Sequence, residues 1–328
     1  MTKIVVLDGG TILQNDLDWA PLAQLGEVTA YDSTPPAQAA ARIGMAEAVL
    51  ASKVPLTADV MDACPRLRYI GVLATGYNMV DLEAAAARGI TVTNIPAYST
   101  AAVAQHIFAL LLTMTNHVSL HAAAVRAGDW CRSTDFCFLA APLTELAGKT
   151  MTIIGLGQIG RAAAGIARAF GMEVCAVVRR PAQTTPPDGV RLMPLAEGLQ
   201  AADVLALCCP LTPDTERLLR AETLKFLKPS ALVINTARGS LVDEKDLADA
   251  LQKGQLAGYA ADVVAQEPMR PDNPLLTAPR CLLTPHIAWS PRETRQRLIA
   301  IAAHNLSQFL SGGPVDNVIG ACHFETSR

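Results

Sequence analysis

Three polar residues in the second half of the chain each follow a strand-like apolar run and could together act on a small acid. Arg238 follows LVINTA, Glu267 follows YAADVVAQ, and His286 follows CLLTP. A histidine can pass a proton to a substrate near neutral pH, and a glutamate beside it can orient the imidazole and stabilise its protonated form. An arginine can fix a planar carboxylate in two parallel hydrogen bonds. These residue types predict proton transfer to a carboxylic-acid substrate.

The other five histidines are weaker candidates. His106 lies in an apolar helix-like segment and is expected to be a packed or domain-contact residue, while His304 and His323 are expected to be structural or exposed. His117 and His121 are four residues apart and could share a helix face, but no third ligand is evident. We therefore predict no metal site.

A glycine loop predicts where a dinucleotide binds. Gly155-x-Gly157-x-x-Gly160 follows the apolar run TMTII and precedes an alanine-rich helical segment. The first glycine makes the tight turn, the second admits the pyrophosphate, and the third lets helix and strand pack closely. The phosphates then meet the N-terminus of the helix. Gln158 and Ile159, inside the loop, are counted with the cofactor-binding residues; a structural turn without a ligand is the alternative.

The end of the second strand of this domain bears on the choice of cofactor. Val178 stands 18 residues after Gly160, where a carboxylate that binds the ribose of NAD is expected. Valine cannot accept those hydroxyl hydrogen bonds, whereas the guanidinium groups of Arg179 and Arg180 can bind a 2′-phosphate. We expect NADP(H), with NAD(H) and two solvated arginines as the alternative.

These residues need a parallel sheet to bring them together. Short β-branched runs alternate with alanine-rich helical segments in the first hundred residues, then a long helix starts near Ser99 or Thr100, and the alternation resumes at KTMTIIGLGQIG. Such alternation is typical of parallel α/β domains. Ligands of these folds bind at the carboxyl ends of the strands, where the candidate residues stand. An amphipathic helix from Pro291 to about Leu310 is expected to return to the first domain.

Composition excludes several other classes of protein. The 328 residues are 51% apolar and 17% charged, which is typical of a folded chain long enough for two domains. A net charge of −3 gives no basic field for nucleic acid. The longest helix-like apolar run, IFALLLTM, is too short to span a membrane, and the eight cysteines form no C-x-x-C pair. We expect a soluble, cytoplasmic protein with a small-molecule ligand.

Several segments together resemble the D-isomer-specific 2-hydroxyacid dehydrogenases. They are LATGYNMVDLEAAAARGITVTNIPAYSTAAVAQH, GLGQIGRAAAGIARAFGM, CPLTPDTE, INTARGSLVDEKDLADAL, AADVVAQEP and LLTPHIAWSPRETRQR. The resemblance covers almost the whole chain, and within the family it is greatest to the glycerate dehydrogenases, also called hydroxypyruvate reductases. It implies an α/β fold of two doubly wound parallel-sheet domains, with a Rossmann cofactor domain (100–286) inserted into a flavodoxin-like substrate domain (1–99 plus 287–328).

The resemblance also implies roles for individual residues. Arg238 matches the carboxylate-binding arginine, Glu267 the partner of the histidine, and His286 the acid–base residue. The implied substrate-binding residues are Leu73, Ala74, Thr75, Gly76, Arg238, His286 and Trp289. The implied cofactor-binding residues, besides the glycine loop and Arg179 with Arg180, are Pro210, Thr215, Thr236, Ala237, Arg238, Asp262, His286 and Ala288. Val178 departs from the family, whose NAD-dependent members carry aspartate there.

The implied activity is reduction of a 2-oxo acid of the hydroxypyruvate or glyoxylate type to the D-2-hydroxy acid by NAD(P)H. The family further implies a homodimer, with residues 117–147 reaching the partner, and an active site between the two domains that closes on substrate. Alternatives are a related dehydrogenase of formate, phosphite or 3-phosphoglycerate, and a non-catalytic nucleotide sensor on the same fold. A sensor needs no acid–base residue, so the three polar residues argue against it.

Overall fold

The structure is a computed structural model that describes residues 1–320. The chain divides into two units, of which the first comprises Met1–Tyr98 with the described part of Ser290–Arg328, and the second comprises Ser99–Trp289. The chain thus leaves the first unit once and returns to it. The functional assignment of a substrate domain to 1–99 with 287–328 and a cofactor domain to 100–286 remains a prediction. His323 and Cys322 lie outside the described residues.

The first unit is built on a five-stranded parallel sheet. Its strands are β1 (Lys3–Val6), β2 (Glu27–Ala30), β3 (Ala48–Ala51), β4 (Tyr69–Val72) and β5 (Thr91–Thr93). They lie in the order β2-β1-β3-β4-β5, which is the flavodoxin-like order. Every residue of β3 and β4 is buried, as expected where helices cover both faces of a parallel sheet. The sequence predicts strands in the runs KIVVLD, EVTAYD, EAVLAS, LRYIGVLA and ITVTNI, and each of these runs contains one of the five strands.

Short helices connect these strands. They are α1 (Gly10–Leu13), α2 (Ala20–Ala23), α3 (Ala39–Ile43), α4 (Ala58–Asp62) and α5 (Leu82–Ala87). The start of α5 is fixed by the side chain of Asp81, which accepts a hydrogen bond from the Ala84 N–H. Such a side chain satisfies one of the backbone donors that the first turn of a helix leaves unpaired.

The second unit contains a seven-stranded parallel sheet. Its strands are β6 (Thr150–Ile154), β7 (Glu173–Val177), β8 (Val190–Leu192), β9 (Val204–Leu207), β10 (Leu232–Asn235), β11 (Gly258–Ala261) and β12 (Cys281–Leu283). The order β12-β11-β10-β9-β6-β7-β8 is the Rossmann order with a seventh strand added at one edge. The predicted fold class is confirmed. The sequence predicts the other six strands from the runs KTMTIIGLGQIG, MEVCAVV, DVLALCCP, ALVINTARG, LAGYAADVV and CLLTPH. It does not predict β8, which has three residues and only one of them buried.

The helices of this unit are α6 (Thr100–Asn116), α7 (Val118–Arg126), α8 (Asp129–Arg132), α9 (Gln158–Ala169), α10 (Leu195–Ala201), α11 (Ala221–Leu224) and α12 (Glu244–Gln252). Ser99 stands at the N-cap of α6, but its side chain makes no capping hydrogen bond there. His117, with φ of 46°, separates α6 from α7. Among the described residues no single helix is long and apolar enough to cross a membrane. Helices α6 and α7, which meet at a bend of 52°, would be long and apolar enough only if taken together.

The last helix, α13 (Arg292–Ser311), belongs to the first unit and packs on α2 and β4. Arg295 is buried and forms a two-bond ion pair with Asp16, with N–O distances of 2.6 and 2.7 Å. It also donates to the Ile12 carbonyl at 2.8 Å. A buried arginine is stable only when paired and hydrogen-bonded, so these contacts fix the returning helix in place.

Candidate active site

The three predicted catalytic residues follow neighbouring strands of the second sheet. Strands β10, β11 and β12 pair in that order, and Arg238, Glu267 and His286 come after their carboxyl ends. Because parallel strands end at one edge, the loops that carry these side chains emerge from the same side of the sheet. This is the edge at which open α/β folds bind ligands.

His286 and Glu267 form a hydrogen-bonded pair. Nδ1 of His286 lies 2.6 Å from Oε2 of Glu267, and about a third of each side chain is exposed, 33% and 31%. The other carboxylate oxygen, Oε1, accepts a hydrogen bond from the Val264 N–H at 3.3 Å. The pairing through Nδ1 directs Nε2, the opposite ring nitrogen, away from the glutamate. A partly exposed imidazole held in this way can exchange a proton with a ligand.

A buried aspartate holds the loop of His286. Asp262, 1% exposed, accepts hydrogen bonds from the N–H groups of Ile287 at 2.9 Å and Ala288 at 2.7 Å. The hydroxyl of Thr284 donates to the same carboxylate at 2.6 Å. His286 itself has φ of 55°, a left-handed conformation that is uncommon for a residue other than glycine. The bonds to Asp262 stabilise this conformation on both sides of the histidine.

Arg238 is positioned by a buried asparagine. Asn235, at the end of β10, accepts from the Ala237 N–H at 3.0 Å and donates to the Arg238 carbonyl at 2.9 Å. A Cβ at Gly239 would collide with the backbone of Val264, so only glycine lets the Arg238 loop pack against the loop that leads to Glu267. The Arg238 side chain is exposed, and its Nη1 donates to the Ala237 carbonyl at 2.7 Å. Its guanidinium is thus placed where an anion from solvent can reach it.

The glycine loop has the backbone geometry that a dinucleotide needs. Gly155 has φ of 95°, and a Cβ there would lie 2.7 Å from Cα of Cys209. A Cβ at Gly160 would collide with the Gly155 carbonyl oxygen. Gly157, the N-cap of α9, instead faces open space with no atom within 4 Å of a Cβ position. A side chain there would fill the space next to the helix N-terminus, and the first turn of α9 carries no acidic residue, so the loop suits a pyrophosphate.

The two arginines after β7 are available to a ligand. The strand ends at Val177, Val178 is half-buried, and Arg179 and Arg180 are exposed. Within residues 1–320 neither guanidinium forms a hydrogen bond or an ion pair. Free guanidinium groups beside a valine suit a phosphate better than the hydroxyls of a ribose.

The remaining cofactor candidates also lie in loops at this edge. Thr215 shapes the loop after β9, because its hydroxyl donates to the Pro210 carbonyl at 2.7 Å and accepts from the Thr212 N–H at 2.8 Å. Thr236 and Ala237 are half-buried in the turn before Arg238. Their contact with a cofactor, like that of Asp262 and Ala288, remains a prediction.

The predicted carboxylate-binding loop of the first unit needs one correction. The Leu73 N–H donates to the Ala51 carbonyl at 2.8 Å, as an extension of the β3–β4 pairing, so it is not available to a substrate. The hydroxyl of Thr75 donates to the Ile95 carbonyl at 2.9 Å, which fixes the loop. The N–H groups of Ala74, Thr75 and Gly76 remain the predicted donors. Trp289, in the second unit, is half-buried, and its contact with substrate stays a prediction.

Three residues that support the site were not predicted from the sequence as part of it. Asn235 carries no signal beyond being a polar residue that ends an apolar strand, and Thr284 looks like an ordinary strand residue. His106, expected to be packed, places its Nε2 at 3.0 Å from the hydroxyl of Thr284.

His121 uses Nδ1 to bond the His117 carbonyl and Nε2 to accept from a backbone N–H. Over the described part of the chain no group of three or more His, Cys, Asp or Glu could hold a metal ion.

Comparison with known proteins identifies the class. A family model described as D-isomer specific 2-hydroxyacid dehydrogenase, NAD binding domain, matches residues 108–288. The hydroxypyruvate reductase of Blautia hydrogenotrophica is 46% identical over 319 residues, which are 96% of this chain and 99% of that protein. The chain therefore belongs to the D-isomer-specific 2-hydroxyacid dehydrogenase family.

Two further relatives lie within the same family. The glycerate dehydrogenase of Methylorubrum extorquens is 41% identical over 298 residues, 90% of this chain and 92% of that protein. The crystal structure of the NADPH-dependent glyoxylate/hydroxypyruvate reductase SmGhrB from Sinorhizobium meliloti, in complex with citrate, has a TM-score of 0.82 and 31% identity. The structural match covers 97% of this chain and 98% of the SmGhrB chain. The predicted family and the predicted Rossmann fold are confirmed.

Proposed function

We propose that the protein reduces hydroxypyruvate and glyoxylate to the D-2-hydroxy acid with NADPH. The observation that carries the proposal is the His286–Glu267 pair, 2.6 Å apart, on loops that neighbour the loop of Arg238. This set provides a proton donor, a group that aims it and a carboxylate-binding cation. The names of the hydroxypyruvate and glycerate relatives support the same substrate class.

The proposed reaction follows from the chemistry of these side chains. The substrate carboxylate binds the guanidinium of Arg238, which orients the ketone, and the ketone oxygen accepts a hydrogen bond from Nε2 of protonated His286. NADPH, when bound at the glycine loop, supplies the hydride that reduces the carbonyl carbon. His286 gives its Nε2 proton to the developing alkoxide, and Glu267 stabilises the imidazolium until that transfer. The second predicted carboxylate partner, the backbone of residues 74–76, belongs to the first unit.

The preference for NADPH over NADH rests on the residues after β7. Val178 cannot accept hydrogen bonds from ribose hydroxyls, and the exposed Arg179 and Arg180 offer two cations for a 2′-phosphate. A carboxylate at position 178 would repel that phosphate, but the residue there is valine.

A homodimer is part of the proposal. Large apolar side chains are exposed along one stretch of the second unit, namely Val118, Leu120, Val125, Trp130, Phe136, Leu139 and Leu143. Such a concentration of apolar surface is typical of an interface between subunits. The stretch falls within residues 117–147, which the family resemblance assigns to the partner contact. Light scattering on the purified chain should give twice the mass of 34.6 kDa.

The test is a steady-state comparison of acceptors and cofactors. Oxidation of NADPH and of NADH is followed with hydroxypyruvate, glyoxylate and 3-phosphohydroxypyruvate as acceptors, and reduction of NADP⁺ and of NAD⁺ is followed with formate and phosphite as donors. We expect turnover with hydroxypyruvate and glyoxylate and a higher kcat/KM for NADPH. An Arg238→Ala variant should lose mainly substrate affinity. Turnover restricted to another acid would replace the substrate assignment, and no turnover with any acid would favour a nucleotide sensor.

A further inference from the structure

Helix α6 is connected to the loop of His286 by side-chain hydrogen bonds. His106 lies in α6, which packs against β10 and β11. Its Nε2 is 3.0 Å from Oγ1 of Thr284, two residues before His286, and 3.5 Å from Oδ1 of Asp262. The histidine side chain is 18% exposed, so most of it is removed from solvent. His106 thus contacts the loop that carries His286, the histidine proposed to act on substrate.

The direction of each hydrogen bond follows from what each group can donate. The N–H groups of Ile287 and Ala288 can only donate, so the carboxylate of Asp262 accepts from both. The Thr284 hydroxyl has a single proton and lies 2.6 Å from Oδ1 of Asp262, against 3.5 Å from the Ala261 carbonyl. That proton therefore goes to Asp262.

The hydroxyl of Thr284, having donated its proton, can only accept from the imidazole. His106 must then carry a hydrogen on Nε2. The structure thus fixes not only the position of this histidine but also the tautomer of its neutral form. A side chain at position 106 without a donor would leave an oxygen lone pair of Thr284 unsatisfied in a half-buried site.

We propose that His106 is a positioning residue of the reductase, which acts by donating from Nε2 to Thr284 and so holding the loop that presents His286. This inference rests on the proposed function, because it assigns a role within that reaction. The loop holds His286 in a left-handed conformation with its Nδ1 aimed at Glu267. Loss of the donor lets Thr284 turn, loosens its bond to Asp262 and frees the backbone on which the catalytic imidazole depends.

The expected effect is mainly on the chemical step, because His106 is separate from the loop predicted to bind the cofactor pyrophosphate. A displacement of the acid by a fraction of an ångström lowers the rate steeply, since proton transfer needs an aligned donor and acceptor. The glycine loop lies after β6, at another part of the sheet edge, and shares no hydrogen bond with His106 within the described residues. His106→Leu should therefore lower kcat on the order of 10-fold while KM for NADPH changes less than about twofold.

Conservative variants separate positioning from packing. Glutamine reaches about as far as histidine and keeps a donor, so His106→Gln should restore kcat to within about threefold of the wild type. Thr284→Val removes the acceptor and should lower kcat as His106→Leu does, and the double variant should be no worse than either alone because both break one chain of bonds. His304→Leu, an exposed histidine of α13 in the first unit, is the matched control and should leave kcat unchanged.

A spectroscopic measurement tests the hydrogen bond without reference to turnover. Long-range ¹H–¹⁵N NMR of the full chain with labelled histidine, assigned by loss of the His106 signal in His106→Gln, should show Nε2 protonated and Nδ1 unprotonated in the neutral ring of the wild type. Thr284→Val should shift the tautomer ratio. A wild type with Nδ1 protonated would overturn the inference, as would His106→Leu with wild-type kcat or His106→Gln as impaired as His106→Leu. Failure of the wild type to reduce any 2-oxo acid would instead contradict the proposed function, and the tautomer would still be read from the spectrum.

Discussion

Nδ1 of His286 and Oε2 of Glu267 lie 2.6 Å apart, although the two residues are 19 positions apart and leave from different strands. The short distance means that the carboxylate selects which ring nitrogen faces away from the glutamate before any ligand arrives. It also places a negative charge where a protonated imidazole is stabilised. The pair is therefore organised for donating a proton, which is what reduction of a ketone requires.

Replacing Glu267 with glutamine tests the role of that charge. The amide keeps a hydrogen-bonding oxygen but no longer favours the protonated imidazole, so kcat for reduction should fall on the order of 10²-fold. Glu244→Gln, which alters a carboxylate bonded to Ala265 and Asn273 in the same region, is the control. A Glu267→Gln variant with the wild-type kcat would show that the reaction does not need the charge of this carboxylate.

The cofactor preference is tested at the two arginines after β7. Arg179→Ala with Arg180→Ala should raise KM for NADPH on the order of 10-fold or more and leave KM for NADH nearly unchanged, since only NADPH carries the 2′-phosphate. Arg191→Ala removes another exposed arginine of the same unit, one paired with Glu173, and should affect neither cofactor. If the double variant keeps its preference, the arginines are solvated surface residues.

The glycine loop offers a matched pair of substitutions in one helix. A Cβ at Gly157 and a Cβ at Gly165 would each meet no atom within 4 Å, but only the first stands at the N-terminus of α9. Gly157→Ala should raise KM for NADPH on the order of 10-fold with little change in stability, because the methyl group enters the space needed by the pyrophosphate. Gly165→Ala should leave KM alone and stabilise by about 0.5–1 kcal/mol. Equal KM values in the two variants would place the cofactor elsewhere.

Asp203 should make the stability of the chain depend on pH. Burial alone raises the pKa of this carboxyl, but hydrogen bonds from Lys228 at 2.8 Å and from the Thr150 N–H at 2.9 Å outweigh it, so its pKa lies below the usual 3.8. A lowered pKa adds stability above the unfolded-state pKa, and this stability is lost as pH falls through the folded-state value.

Asp203→Asn should consequently cost about 1 kcal/mol at neutral pH and progressively less below about pH 4. Thermal unfolding midpoints of the variant and the wild type, measured at pH 7 and at pH 3.5, check this. Asp188→Asn, for which no ion pair is formed among the described residues, should show a difference that does not vary with pH. A midpoint difference as large at pH 3.5 as at pH 7 would contradict the assigned cause.

Most of the fold could be predicted from the sequence, because the strands of parallel sheets show as short apolar runs. Within residues 1–320, eleven of the twelve strands coincide with short apolar runs of the sequence, and the Gly155 to Gly160 spacing marked the start of α9. Strand β8 has three residues, only one of them buried, which is too little for an apolar pattern. The N-cap of α6 shows another limit, since Ser99 has the right type and position but its hydroxyl is not used.

The sequence predicted the site residues whose side-chain chemistry suggests a role. It did not predict the residues whose role depends on contacts made in the folded chain. Each of Arg238, Glu267 and His286 taken singly could be a surface charge, but together they stand out because they follow successive strand-like runs of the dinucleotide domain. Asn235, Thr284 and His106 support them through hydrogen bonds between segments far apart in sequence, which no local pattern records. The loss of Leu73 as a donor likewise depends on strand pairing with Ala51, which is a property of the folded sheet.

The proposed role of His286 is to donate the proton in NADPH-dependent reduction of hydroxypyruvate. The most direct test compares single-turnover reduction by the wild type and by His286→Ala, with NADPH affinity of each measured by fluorescence titration. We predict that the reduction rate falls on the order of 10²–10⁴-fold while the Kd for NADPH changes less than about threefold. A His286→Ala variant that reduces hydroxypyruvate at the wild-type rate would show that His286 is not the proton donor.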